Sequence, residues 1–143
     1  MLAFVALAAL SLHIAPASPR PTVQQAMKGS AVETLALSTE LQKALGSSDR
    51  RCIFVLFGKR QCGACRALLP RIKQVASKRQ ATSRFLHIDL CRTTKDAFDT
   101  HNISIVPTLA VFDASGAQVD ALCPAGFSVA ALREVLDSNE WDV

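Results

Sequence analysis

The 143-residue sequence has no tyrosine, one tryptophan and 6% aromatic residues in all. Its basic residues are not interleaved with aromatics and match no recognised nucleic-acid motif, so a nucleic-acid partner is not expected despite a formal charge of +4. A second cysteine or histidine pair at metal-ligand spacing is also missing. Cys52, Cys91 and Cys123 stand singly and His87 and His101 are scattered, which argues against a structural zinc site and its four ligands. No uncharged apolar stretch reaches the roughly 20 residues of a membrane-spanning helix, and there is no internal repeat or low-complexity tract. Acids are scarce over one long segment. Between Arg50 and Arg92 eleven basic residues face one acid, Asp89, whereas Thr93 to Val143 holds two bases and eight acids.

Residues 1–19 carry no charged side chain. Leu2 to Leu12 is almost wholly Leu, Ala, Val and Phe, and Ala15-Pro16-Ala17 follows as an A-x-A-like site. This pattern predicts a signal peptide over 1–17 and an exported protein, secreted, periplasmic or in an organelle lumen, with a retained membrane anchor as the alternative. Ser18 to Val32 holds Arg20, Lys28 and no acid, so 18–31 reads as a linker or a second targeting segment ahead of one domain at 32–143.

Within that domain Cys62-Gly63-Ala64-Cys65 follows the apolar run Ile53 to Phe57 and opens a helical pattern. In a strand-to-helix setting C-x-x-C reads as a redox dithiol. Two thiols one turn apart can close a small disulfide ring, and the first sits where unpaired N–H groups and the helix dipole favour a thiolate. The plainer alternatives are half of a zinc knuckle or a buried pair of small apolar residues. Lys59, Arg60 and Arg66 bracket the pair, where their charge would lower the pKa of Cys62 and steer acidic partners toward it; a solvated helix face is the bland reading of the basic segment as a whole.

Around this motif the patterning predicts an α/β order, β-α-β-α-β-α-β-β-α: strands at Val32–Leu37, Ile53–Phe57, Phe85–Leu90, Thr108–Phe112 and Ala117–Leu122, the last two joined by an Asp113–Gly116 turn. Helices are expected from a Thr39/Gln42 capping box to Leu45, from Cys62 to about Arg79 with a kink at Pro70, from Thr94 to about Thr100, and from a Ser128 cap through Val129, Leu132, Val135 and Leu136.

The dithiol at the end of a buried strand, Pro70 five residues after Cys65, Val106-Pro107-Thr108 before a strand, and Gly116 and Gly126 downstream together resemble the thioredoxin superfamily over about residues 32–137. The resemblance implies a mixed central sheet flanked by helices, with Cys62 as nucleophile, Cys65 as resolving thiol and Pro107 as a cis-proline facing them. Val106, Pro107 and Gly126 would bind substrate. It implies a monomeric thiol–disulfide oxidoreductase acting on protein disulfides or dithiols, reset by a redox partner and needing no metal or organic cofactor. The rival reading is a non-catalytic binding module in which Cys62–Cys65 is a static disulfide.

Departures from the family pattern are local. Gln61 stands in place of the tryptophan before the first cysteine, Gly58 where a second tryptophan is common, and Leu56 where thioredoxins bury an aspartate that assists the second cysteine. On the neighbouring strand, Asp89 and His87 are the groups that could substitute, although a solvated carboxylate and a surface histidine are the ordinary reading. The Gly63-Ala64 dipeptide assigns no direction of electron flow. Cys91 and Cys123 are expected on the dithiol-bearing sheet edge as accessory thiols, joined to each other or relaying to the site, against the simpler reading of buried inert thiols; Cys52 belongs at the opposite end.

Overall fold

The computed structural model describes residues 30–47, 49, 51–123 and 129–138, without the side chains of 129, 131 and 132. The expected leader, residues 18–29 of the linker, Gly126 and the Ser128 cap lie outside these residues. Nine elements follow in the expected order: β1 (Val32–Leu35), α1 (Ser38–Leu45), β2 (Cys52–Gly58), α2 (Gly63–Ala76), β3 (Ser83–Asp89), α3 (Lys95–Thr100), β4 (Thr108–Phe112), β5 (Gln118–Leu122) and α4 (Val129–Ser138).

The five strands form one sheet in the order β1-β3-β2-β4-β5. β1, β3 and β2 run parallel, β4 is antiparallel to β2, and β5 is antiparallel to β4. The continuous apolar run of β2 suits its central place. Every residue from Ile53 to Phe57 is 1% exposed or less, because a strand covered on both faces has no solvent side for polar residues. Alternate residues then serve two cores. Phe54, Leu56 and Phe85 pack with Leu68, Ile72 and Val75 of α2 and Leu136 of α4. Val55, Phe57, Leu86 and Ile88 pack with Leu41 and Leu45 of α1 and with Phe98 of α3 on the other face. Each such side chain contributes about 1.5–3 kcal/mol by leaving water.

Element ends depart from expectation where side chains cap the chain. α1 is not opened by a Thr39/Gln42 box. Instead Glu40 accepts from the N–H groups of Ala36 and Leu37, at 2.7 and 3.0 Å, and the helix starts at Ser38. Ser38 is itself held by α3 and the turn before it, its Oγ donating to Thr93 O and accepting from Ala97 N–H. α2 runs through Pro70. The β4–β5 turn closes as expected at Asp113–Gly116, with Gly116 at φ +82, a conformation in which glycine carries no Cβ penalty.

The candidate dithiol site

The site is assembled at the C-terminal ends of β2 and β3. β2 ends at Gly58 and the chain folds back at once, with Cys62 N–H donating to Lys59 O at 2.9 Å. Cys62 becomes the N-cap of α2, and its Sγ accepts from Cys65 N–H at 3.1 Å. A sulfur here meets one of the unpaired donors at a helix start, a setting that favours the thiolate when the pair is reduced. The two cysteines are joined as a disulfide with Cα atoms 5.2 Å apart. They are not equivalent: Cys62 is half-buried, while Cys65 is 4% exposed beneath it. A partner molecule can reach the first sulfur and not the second.

β4 begins opposite the end of β2, with Thr108 level with Phe57. That register sets the cis Val106–Pro107 bond at the dithiol edge, one position beyond Phe57. Pro107 is buried, Val106 half-buried, and Ile105 beside them is 61% exposed.

β3 ends alongside, tied to β2 by Leu90 N–H donating to Gly58 O at 2.8 Å. Cys91 follows, exposed, in a cavity of about 550 Å³ lined also by Lys59, Arg60, Gln61 and Asp89. Its Sγ lies 3.2 Å from Thr93 Oγ1 and 3.3 Å from Thr94 Oγ1. The Thr93 hydroxyl first, then that of Thr94, draws the thiol down to about 7. Each threonine has one hydroxyl hydrogen and a backbone acceptor for it, Asp89 O at 2.6 Å for Thr94 and Ala36 O at 2.9 Å for Thr93, so either hydroxyl donates to a thiolate only by turning from that acceptor. These two threonines were not among the sequence candidates, although a hydroxyl two and three residues after a cysteine is a local turn signal.

Cys123 is also exposed and on this edge, 3.5 Å from Thr108 Oγ1, in a separate cavity of about 440 Å³. The expected Cys91–Cys123 bond does not form. The two residues follow β3 and β5, which are separated by three strand spacings, about 14 Å against a reach of about 7 Å for a disulfide. Nor are they buried core thiols. Cys52, as expected, occupies the far end of β2, buried, with its Sγ 3.4 Å from Phe112 O; burial pushes it up to about 11.

The basic segment divides by position. Arg51, Arg79 and Arg84 are committed to ion pairs with Asp49, Asp137 and Glu33. Lys59, Arg60 and Arg66 are exposed at the dithiol end.

His87 is not the surface histidine of the ordinary reading. It is 7% exposed, on the α2 side of β3, and its Nε2 lies 3.3 Å from Asp89 Oδ1. Burial holds its pKa below the usual value, against the opposing pull of Asp89. Leu56, level with His87 in the register, is fully buried.

A five-stranded mixed sheet with paired helices on each face, carrying a cysteine pair at the start of a helix that follows the central strand, defines a dithiol module of the α/β class. The thioredoxin family model matches residues 32–136, and the chain belongs to that family. No curated protein sequence matches it significantly. Among solved structures it is similar to thioredoxin NaTrxh from Nicotiana alata, at 22% identity and TM-score 0.69, covering 78% of this chain and 95% of that one. It is similar also to oxidised thioredoxin O2 from Arabidopsis thaliana, at 23% identity and TM-score 0.66, covering 78% and 96%. Spinach chloroplast thioredoxin f, long form, superposes with TM-score 0.67 at 18% identity over 75% and 84%. At these identities the likeness carries the fold.

Proposed function

We propose that this protein is a thiol–disulfide oxidoreductase that exchanges disulfides with protein partners through Cys62 and Cys65. The observation that carries the reading is the asymmetry of the pair: a reachable Cys62 sulfur at a helix N-terminus, joined to a buried Cys65. In the reducing direction the Cys62 thiolate attacks one sulfur of a partner disulfide and expels the other as a thiolate. Cys65 then attacks Cys62 in the mixed disulfide, closing Cys62–Cys65 and releasing the reduced partner; the reverse sequence oxidises a partner dithiol. Lys59, Arg60 and Arg66 stabilise the Cys62 thiolate and attract acidic partners. The backbone around Val106 and Pro107 offers an extended substrate segment main-chain groups beside the sulfurs, and exposed Ile105 gives that segment an apolar contact. Cys91, in the cavity it shares with Lys59, Arg60 and Gln61, serves as an accessory thiol. Cys123 is the other candidate for that role.

Insulin reduction driven by dithiothreitol tests the reading. Faster precipitation with the wild-type chain and none above background with Cys62→Ser is expected. Equal, background rates for both would leave a binding module with a static disulfide. We further propose that residues 1–17 direct export and are removed near Ala17; N-terminal sequencing of the mature protein decides it, and a retained Met1 would favour a membrane anchor.

A further inference from the structure

Cys65 must lose its proton before it can attack a mixed disulfide, yet it is buried and the residue on β2 that the family pattern assigns to this task is Leu56. On the α2 face, β2 contributes Phe54, Leu56 and Gly58 in turn, and the register sets Gly58 level with Asp89 of β3. A Cβ on Gly58 would come within 3.2 Å of Asp89 Oδ1, 3.3 Å of His87 Nε2 and 3.6 Å of Cys65 Cβ. Three functional groups from two elements therefore converge on one point, and a side chain at position 58 would crowd all three.

We propose that the Asp89 carboxylate is the proton acceptor for Cys65 across the gap over Gly58, with His87 as the positioning residue that orients it. This rests on the exchange function proposed above. The division of roles follows from the geometry. With Nε2 3.3 Å from a carboxylate oxygen, the imidazole must carry its hydrogen on Nε2, since two lone pairs would otherwise face each other. Nε2 then donates to Asp89 and has no lone pair for Cys65. Burial, and after it Lys73 of α2, oppose a positive charge on His87 and outweigh the pull of Asp89, so that its pKa lies below the ordinary histidine value and it donates as the neutral imidazole at pH 7. Lys59 and Arg60 are the cations that line the cavity Asp89 lines, and Cys91 is the other titratable group there. In the resolving step the Cys65 proton passes to Asp89 and the Cys65 sulfur bonds to Cys62. The Cys62–partner bond breaks, and the partner thiolate departs with the electron pair and takes up a proton. The dithiol loses two electrons and the partner disulfide gains them.

Stopped-flow reaction of the reduced protein with an aromatic disulfide that releases a coloured thiolate separates the two steps, in a Cys91→Ser, Cys123→Ser background. Cys62 releases the first equivalent by forming the mixed disulfide, and Cys65 releases the second by resolving it. Asp89→Asn is expected to leave the first phase within about twofold and slow the second about tenfold at pH 7. Its second phase should rise only as Cys65 ionises unaided, near pH 8.5 or above. His87→Gln, which still offers a donor to Asp89, is expected to keep most of the second-phase rate. Should Asp89→Asn fail to fold, Asp89→Ser takes its place. An unchanged second phase and pH profile, or equal slowing of both phases, overturns the proposal. A loss in His87→Gln as large as that in Asp89→Asn overturns the assignment of Asp89 as acceptor. Absence of the first phase in the background protein would refute the exchange function itself, not the identity of the acceptor.

Discussion

The two ends of the sheet use the same residue types for opposite purposes. At the end where β2 starts, Cys52 is buried against Phe112 and its thiol is pushed up to about 11. There Gly116 presses close to Leu45 O and the basic side chains of Arg51 and Arg84 are tied into ion pairs. At the end where β2 finishes, Cys62 caps a helix, Cys91 is exposed and drawn down to about 7, and Lys59, Arg60 and Arg66 face solvent. What a cysteine or an arginine does in this protein is decided by which end of a strand it occupies. Parallel strands deliver their C-terminal ends to one edge, where loops and a helix N-terminus leave donors and charges unused.

The sharpest way to break this contrast is at the dithiol. Cys62→Ser should abolish insulin reduction, and Cys65→Ser should accumulate mixed disulfides visible on non-reducing gels; equal trapping by both variants would mean that the exposure difference does not set the order of attack. Next in size is thiol reactivity. At pH 7 Cys91 should alkylate about a hundredfold or more faster than Cys52, since half of the one and almost none of the other is thiolate, an advantage that the higher nucleophilicity of the more basic thiolate offsets only in part. Mass spectrometry of tryptic peptides over time reads this directly. Thr93→Val should shift the half-point of Cys91 alkylation to higher pH, because the thiolate loses its first donor.

The far end should answer in stability instead. A Cβ at Gly116 would stand 2.5 Å from Leu45 O, at a positive φ, so Gly116→Ala should cost about 1–3 kcal/mol in urea denaturation while leaving the exchange rate of the folded protein unchanged. The smallest effect is a pH dependence. Burial lowers both His87 and His101 from the ordinary histidine value, so the unfolded chain takes up protons first as pH falls. Their contribution is full above about pH 6.5 and declines as pH drops from there through the folded pKa values. His101→Gln should flatten that part of the urea-midpoint profile, and an unaltered profile would show that its burial is not coupled to charge.

Much of this was legible in the chain itself. The run Ile53 to Phe57 announced a strand covered on both faces, and Cys62-Gly63-Ala64-Cys65 after it announced a helix start bearing two thiols, since both are local patterns with local physics. The cis Val106–Pro107 bond entered through family resemblance, as the residues alone favour trans. The start of α1 is not legible from spacing, because several hydroxyl and acid side chains compete for the same donors there, and Glu40 reaches two of them.

By itself the sequence determined the order of elements, the central strand, the cysteine pair at a helix start and the concentration of base around it, each a matter of spacing along the chain. Tertiary structure decided everything that depends on register between strands distant in sequence. Three strand spacings keep Cys91 from Cys123. The pairing of β2 with β3 sets Asp89 level with Gly58 and His87 level with Leu56, so that a buried histidine and a half-exposed carboxylate meet over Gly58. A one-residue slip of that pairing would move every side chain to the other face, and nothing in the composition of either strand records which partner residue stands opposite.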